Sequence, residues 1–185
     1  MACEISSGFQ LACRDNSGGI KNVYILSGSV TAVAEASEGL ISAVSGSGVF
    51  YKFELTKNTG DFTETPTPSL ENGTVYYDST LNISLHKLQS SIRNQVRTLA
   101  QNPDLKIIIE TNNGAESPFT GRFFYMGRDR GATLSGGSGA TGTAFGDMNG
   151  YSLTFQGLEP NPADEISTAT GLLTGSLGPG LSVGS

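Results

Sequence analysis

The sequence predicts a mainly β protein: a β-sandwich or partly closed barrel with one flanking amphipathic helix. Three observations lead there. Segments with period-two or β-branched character outnumber the single segment with a helical period. Asn-Gly pairs at 72–73, 113–114 and 149–150 fall at hairpin spacing, and both residues tolerate the positive φ of tight turns. Apolar residues make up 37% of a 185-residue chain, enough for one core and one domain.

Taken in order, "GGIKNVYIL" sets Val23 and Ile25 on one strand face and Tyr24 and Leu26 on the other. Both faces are apolar, so a strand covered on both sides is expected. "SGSV" and "SEGL" read as punctuation around a short strand, "LISAV". "GVFYKFELT" reads as a half-buried strand, with Tyr51, Phe53 and Leu55 opposite Phe50, Lys52, Glu54 and Thr56. "DFTETPTPSLENG" reads as turn-rich, because Pro66 and Pro68 cannot sit in a central strand. In "TVYYDSTLNISL" Leu81, Ile83 and Leu85 alternate, and then the period changes. Leu85, Leu88, Ile92, Val96 and Leu99 form one stripe of a helix at about 86–101, ended by "NPD". "LKIIIE" and "RFFYMG" follow as strand, turn and strand, and Tyr151, Leu153 and Phe155 share a face of the last strand. The domain is drawn at residues 1–160. Residues 161–185 are set apart as a Gly/Ser/Leu-rich tail, uncharged after Glu165, that either frays or serves as an arm between subunits.

Charge narrows the function classes. The net charge is −6 and only 15% of residues are charged. Tight binding to nucleic acid needs clustered Lys and Arg on phosphates, which this chain lacks. Its surface must instead be polar through Ser, Thr, Asn and Gly, or covered by partners. Cys3 and Cys13 have no Cys-x-x-Cys spacing and read as small buried thiols. No secretory leader is apparent and no apolar run approaches the ~20 residues of a membrane span. A soluble protein made in a cytoplasm is expected, so the sequons at Asn72 and Asn82 read as incidental.

The catalytic inventory is thin. Gly137 to Gly142 matches G-x-G-x-x-G, but no helix follows to hold a pyrophosphate. It reads as a mobile structural loop between strands. There is no G-x-S-x-G elbow, and the one imidazole, His86, reads as a solvated or capping residue. No close-spaced set of Cys, His or carboxylates suggests a metal. Arg128, Asp129 and Arg130 could clamp a phosphate, but Asp129 competes for the arginines, so ion pairing at a subunit contact is the better reading. Asp147 is expected to order its own turn through backbone hydrogen bonds. No catalytic residue, metal or cofactor is assigned.

Residues from about 74 to 164 resemble the major tail proteins of tailed bacteriophages, the subunits of the tail tube. "TVYYDSTLNISLHKL", the helix, "LKIIIETNNG", "RFFYMGRDRGATLSGG" and "GTAFGDMNGYSLTFQGLEP" come in the matching order. "ACRDNSGGIKNVYIL" looks like the start of small tail proteins in phages of Bacteroidota. The resemblance implies a structural virion protein, not an enzyme, whose copies form rings, six subunits to a ring, stacked into a channel for DNA. It implies contacts with itself and with other tail and neck proteins, passage of DNA without specific binding, and no membrane. Candidate subunit-contact residues are Arg128, Asp129, Arg130, Leu172, Leu173 and Leu177; candidate lumen residues are Glu54 and Glu110. The alternatives are a neck, tail-terminator or other connector ring, a ligand module built on the glycine loop, and an adhesin-like module.

Overall fold

Two strands are buried on both faces, and the rest of the molecule is layered around them. The computed structural model describes residues 8, 17–113, 123–166, 176–178 and 181–184. The elements run β1 (Ile20–Ser37), β2 (Leu40–Glu54), β3 (Gly60–Ser69), β4 (Thr74–His86), α1 (Ser90–Gln101), β5 (Ile107–Thr111), β6 (Phe123–Met126), β7 (Ala132–Ala140), β8 (Gly150–Glu159), β9 (Asp164–Ile166), β10 (Ser176–Gly178) and β11 (Leu181–Gly184). They form a seven-stranded sheet, β1-β5-β6-β9-β2-β11-β10, and a four-stranded sheet, β3-β4-β8-β7. Because β1 also pairs with β2, the larger sheet curls into a partly closed barrel.

The two-faced strands are β1 and β5, paired as Val23 with Ile109, Tyr24 with Ile108 and Ile25 with Ile107. Val23, Ile25, Ile107 and Ile109 face the smaller sheet, where they meet Leu81, Ile83, Leu85, Leu153 and Phe155. Tyr24, Leu26 and Ile108 face the barrel interior with Phe50, Phe123, Tyr125 and Ile166. Each fully buried aliphatic side chain contributes roughly 1.5–3 kcal/mol. One ribbon thus carries two cores.

The β1–β2 hairpin is longer than expected. "SGSV" lies inside β1, and "LISAV" and "GVFYKFE" join into the single strand β2. Gly28 and Gly48 face each other with φ of 149° and 136°, and a Cβ on either would strike the carbonyl opposite. Only glycine permits this close crossing. Beyond it the ribbon bends back, so that Ile41 and Val44 return to the barrel core. Phe50 is also in that core while Tyr51 is exposed, so the buried side of this stretch includes the residue assigned to the polar face.

Four other expectations are corrected. Residues 60–69 are strand β3, not a turn region; β3 is an edge strand, where proline is tolerated. The helix starts at Ser90, leaving Leu85 in β4, and α1 buries no residue fully; Ile92, Val96 and Leu99 only half-bury. Asn149-Gly150 opens β8 instead of forming the turn centre, whereas Asn72-Gly73 does sit in the β3–β4 turn, with Gly73 at φ 61°. The segment set apart after residue 160 supplies β9, β10 and β11 to the larger sheet, and Leu181 is buried. The Asn113-Gly114 turn runs outside the described residues.

Phe155 lies fully in the core while Phe145 stands out in solvent. Phe155→Ala should lose about 3–5 kcal/mol in urea unfolding, and Phe145→Ala should stay within about 0.5 kcal/mol of the parent.

Candidate interaction surface

The smaller sheet packs one face on the core and turns the other outward. Register decides which residues the outer face carries. Thr63, Thr80, Gln156 and Thr133 align across all four strands, as do Asp61, Asn82 and Thr154 across three. Ser84, Ser152 and Ser138 form a further row. The face is therefore paved with hydroxyls and amides. Its charges are the carboxylates of Asp61 and Asp78, and no Lys or Arg lies on these strands.

These polar groups hold one another across the strands. Asn82 Nδ2 donates to Asp61 at 3.1 Å, and Thr154 Oγ1 donates to Asn82 at 2.8 Å. Gln156 Nε2 donates to both oxygens of Asp78 at 2.9 Å. Near the β3–β4 turn, exposed Tyr76 and Leu158 interrupt the polar paving. Asp61 and Asp78 were missed in the sequence reading, although the alternating polar row Asp78, Thr80, Asn82 and Ser84 was visible beside the apolar row it accompanies.

The edges of this sheet differ. On β3, Pro66 and Pro68 are two apart, so their missing donors fall on one side. That side must point away from β4, with which β3 pairs throughout. On β7 the sequence is "ATLSGGSGA", without charge or proline, and Thr133 and Ser135 to Ala140 are exposed. The glycine stretch placed in a mobile loop is therefore mostly strand. Gly139 lies under Tyr151, where a Cβ would meet the ring at 2.9 Å. The turn beyond it is ordered as expected: Asp147 accepts from the Thr143 and Ala144 amides, both at 2.8 Å, and these bonds hold its carboxyl below the usual range.

The other sequence candidates are dispersed. Glu110 is 1% exposed and faces inward, bonded by Asn22 Nδ2 at 2.6 Å, Tyr24 Oη at 3.0 Å and Lys21 Nζ at 3.3 Å. It cannot line a lumen; inward alternation on β5 puts it on the barrel face with Ile108. Glu54 is exposed but paired with Lys52 at 2.6 Å, which lowers its pKa. Arg128 spends its charge within the chain, on Asp164 at 2.6 Å and on Glu35. It ties the distal β1–β2 ribbon to β9. The backbone amides of Asp129 and Arg130 bond the Glu159 carboxylate at 3.1 and 3.0 Å. The RDRG stretch is thus an internal clamp. Leu177 lies in β10, and Leu172 and Leu173 lie outside the described residues.

Little chemistry is gathered anywhere. Among the described residues no group of three or more His, Cys, Asp or Glu is placed to hold a metal. His86 Nε2 lies 2.8 Å from Thr56 Oγ1 at the exposed end of β4, away from the helix N-cap at Gln89. The acid-lined pit beside Arg128, Glu159 and Asp164 encloses only about 10 Å³, the size of one water. The Tyr125 hydroxyl is buried and has no hydrogen-bond partner among the described residues, and burial pushes its pKa up. Among the described residues no helix is long and apolar enough to cross a membrane.

No protein-family model, curated protein or solved structure matches the chain.

Burial raises the Glu159 carboxyl above its ordinary 4.5, outweighing the Arg130 and Asp129 amides that pull it down. A raised folded-state pKa gives stability that is full below the unfolded value and lost as pH rises through the folded one. The stability of the parent minus that of Glu159→Gln should therefore fall as pH rises from acid conditions through and above the ordinary 4.5. Urea melts across that range would show the opposite slope if the amide bonds dominated.

Proposed function

We propose that this chain is a virion structural protein, a tail tube subunit of a tailed bacteriophage. Copies close into a ring, six by the resemblance, and the rings form a channel that DNA passes through. The observation that carries the reading is the outer face of the smaller sheet: polar, hydrogen-bonded within itself, mildly acidic and free of lysine and arginine. DNA is retained chiefly by cations on its phosphates, each contact releasing counterions. A wall without cations offers no such hold, and its two carboxylates repel the backbone weakly. Hydroxyls and amides keep it wetted without gripping.

The strand directions support edge-to-edge pairing of copies. Four antiparallel strands give a sheet whose two edges run in opposite senses. Copies related by rotation then meet edge to edge as antiparallel neighbours. Beyond Ala132, whose backbone already pairs with Leu105, the β7 edge of one copy receives the β3 edge of the next. Pro66 and Pro68 cannot donate outward, so pairing is confined to the stretch from Gly60 to Thr65. Such a short contact discourages long open-ended sheets. The site has no part in a reaction under this reading.

Negative-stain microscopy of concentrated protein should show annuli and tubes; a chain that stays monomeric under all conditions would refute the proposal. In assembled material, Thr80→Lys combined with Ser152→Lys should retard duplex DNA on a gel at about 50 mM salt and release it by about 200 mM. The parent should leave the DNA unretarded.

A further inference from the structure

Two of the Asn-Gly pairs lie wholly within the described residues, and they stand in opposite settings. Asn72 and Gly73 lie in the exposed turn of residues 70–73 between β3 and β4. Asn149 and Gly150 lie where β8 begins. The pair matters chemically because an asparagine carboxamide can be attacked by the backbone nitrogen of the residue that follows it. Glycine in that position has no Cβ to block the approach. What holds the amide and the carboxamide decides whether the attack happens.

At Gly150 the fold holds both. Gly150 is buried and sits between His86 of β4 and Ala140 of β7. The Asn149 carbonyl accepts from the Lys87 amide at 2.6 Å, and its Oδ1 accepts from the Leu88 amide at 3.4 Å. A Cβ on Gly150 would strike the Leu85 carbonyl, so no room is left for new atoms there. Gly73 is held by none of this. Its amide makes no hydrogen bond among the described residues, and a Cβ built on it meets nothing within 4 Å. The Asn72 carboxamide donates through Nδ2 to Ser69 Oγ at 3.3 Å, a long bond between exposed groups that leaves its carbon open.

We propose that Asn72 is a site of spontaneous modification, at which the folded protein converts asparagine to aspartate and isoaspartate. The Gly73 nitrogen attacks Asn72 Cγ, and the proton it loses leaves with the carboxamide nitrogen as ammonia. A cyclic succinimide joins the two residues. Water then opens it at either carbonyl, giving aspartate or an isoaspartyl link, so that one ammonia is released and one water consumed. Either product sets a second carboxylate beside Glu71 and makes the net charge of −6 more negative by one unit. The isoaspartyl link also adds a methylene to the main chain, just inside the closing pair Ser69 and Thr74. The step needs no second copy and stands apart from the ring reading.

Dilute protein held in mildly alkaline buffer tests this, read by peptide mapping in a mass spectrometer and by methyl labelling with an isoaspartyl methyltransferase. In the folded chain the peptide holding Asn72 should gain the mass of the acid and take label, while the peptide holding Asn149 stays an amide. In urea that protection should be lost, and the two peptides should convert at similar rates. Asn72→Gln should remove the label from its peptide and melt with the parent. Asn72 that lasts as long as Asn149 in the folded chain would overturn the inference. So would an Asn149 that converts alongside Asn72 without urea, since the fold would then not select the site. Label on the turn peptide of Asn72→Gln would overturn it as well.

Discussion

The pairing of β1 with β5 is the constraint on which the other elements depend. Val23, Ile25, Ile107 and Ile109 must be covered from one side, and Tyr24, Leu26 and Ile108 from the other. A strand pair with two apolar faces has no stable position at a surface. The smaller sheet covers the first face. The second is covered when the larger sheet curls on itself, bringing Ile41, Val44, Phe50 and Ile166 over it. The glycine crossing at Gly28 and Gly48 makes that curl possible.

Closure would be loose without the buried and half-buried acids. The strand β9 that completes it is three residues long and pairs with β2 at Leu40 and Ile41. Polar anchors hold it: Asp164 on Arg128, the Ala163 amide on Glu64 at 2.7 Å, and the Glu165 amide on the Gly39 carbonyl at 2.9 Å. Glu110 does a related task inside the barrel, where three donors offset the cost of burying its charge. Much of the acidic excess that the composition advertises is thus spent on holding the fold, and the outer sheet face keeps only Asp61 and Asp78.

That division of labour bears on function. A chain poor in surface charge exposes two features that a solitary protein normally protects, an uncharged β7 edge and fully exposed Leu70 and Phe145. Both are explained if copies of the chain cover one another. The same economy leaves a sheet face with no lysine or arginine for phosphate to hold, which supports the proposed passage for DNA.

The sequence alone determined the strand-rich class, the two-faced character of "VYIL" and "KIII", the helix stripe and the Asp147 turn, because each is encoded in a local period or a local hydrogen bond. It left undecided what partners each residue meets across the chain. Pro66 and Pro68 read as a break until the sheet order put them on an edge. The glycines at 137 and 139 read as a loop until register laid them against Leu153 and Tyr151. Glu110 read as a candidate lumen residue until curling of the barrel turned its face inward. Strand pairing is non-local, so whether an alternating residue faces water, a core or an open edge is decided only by the strand beside it.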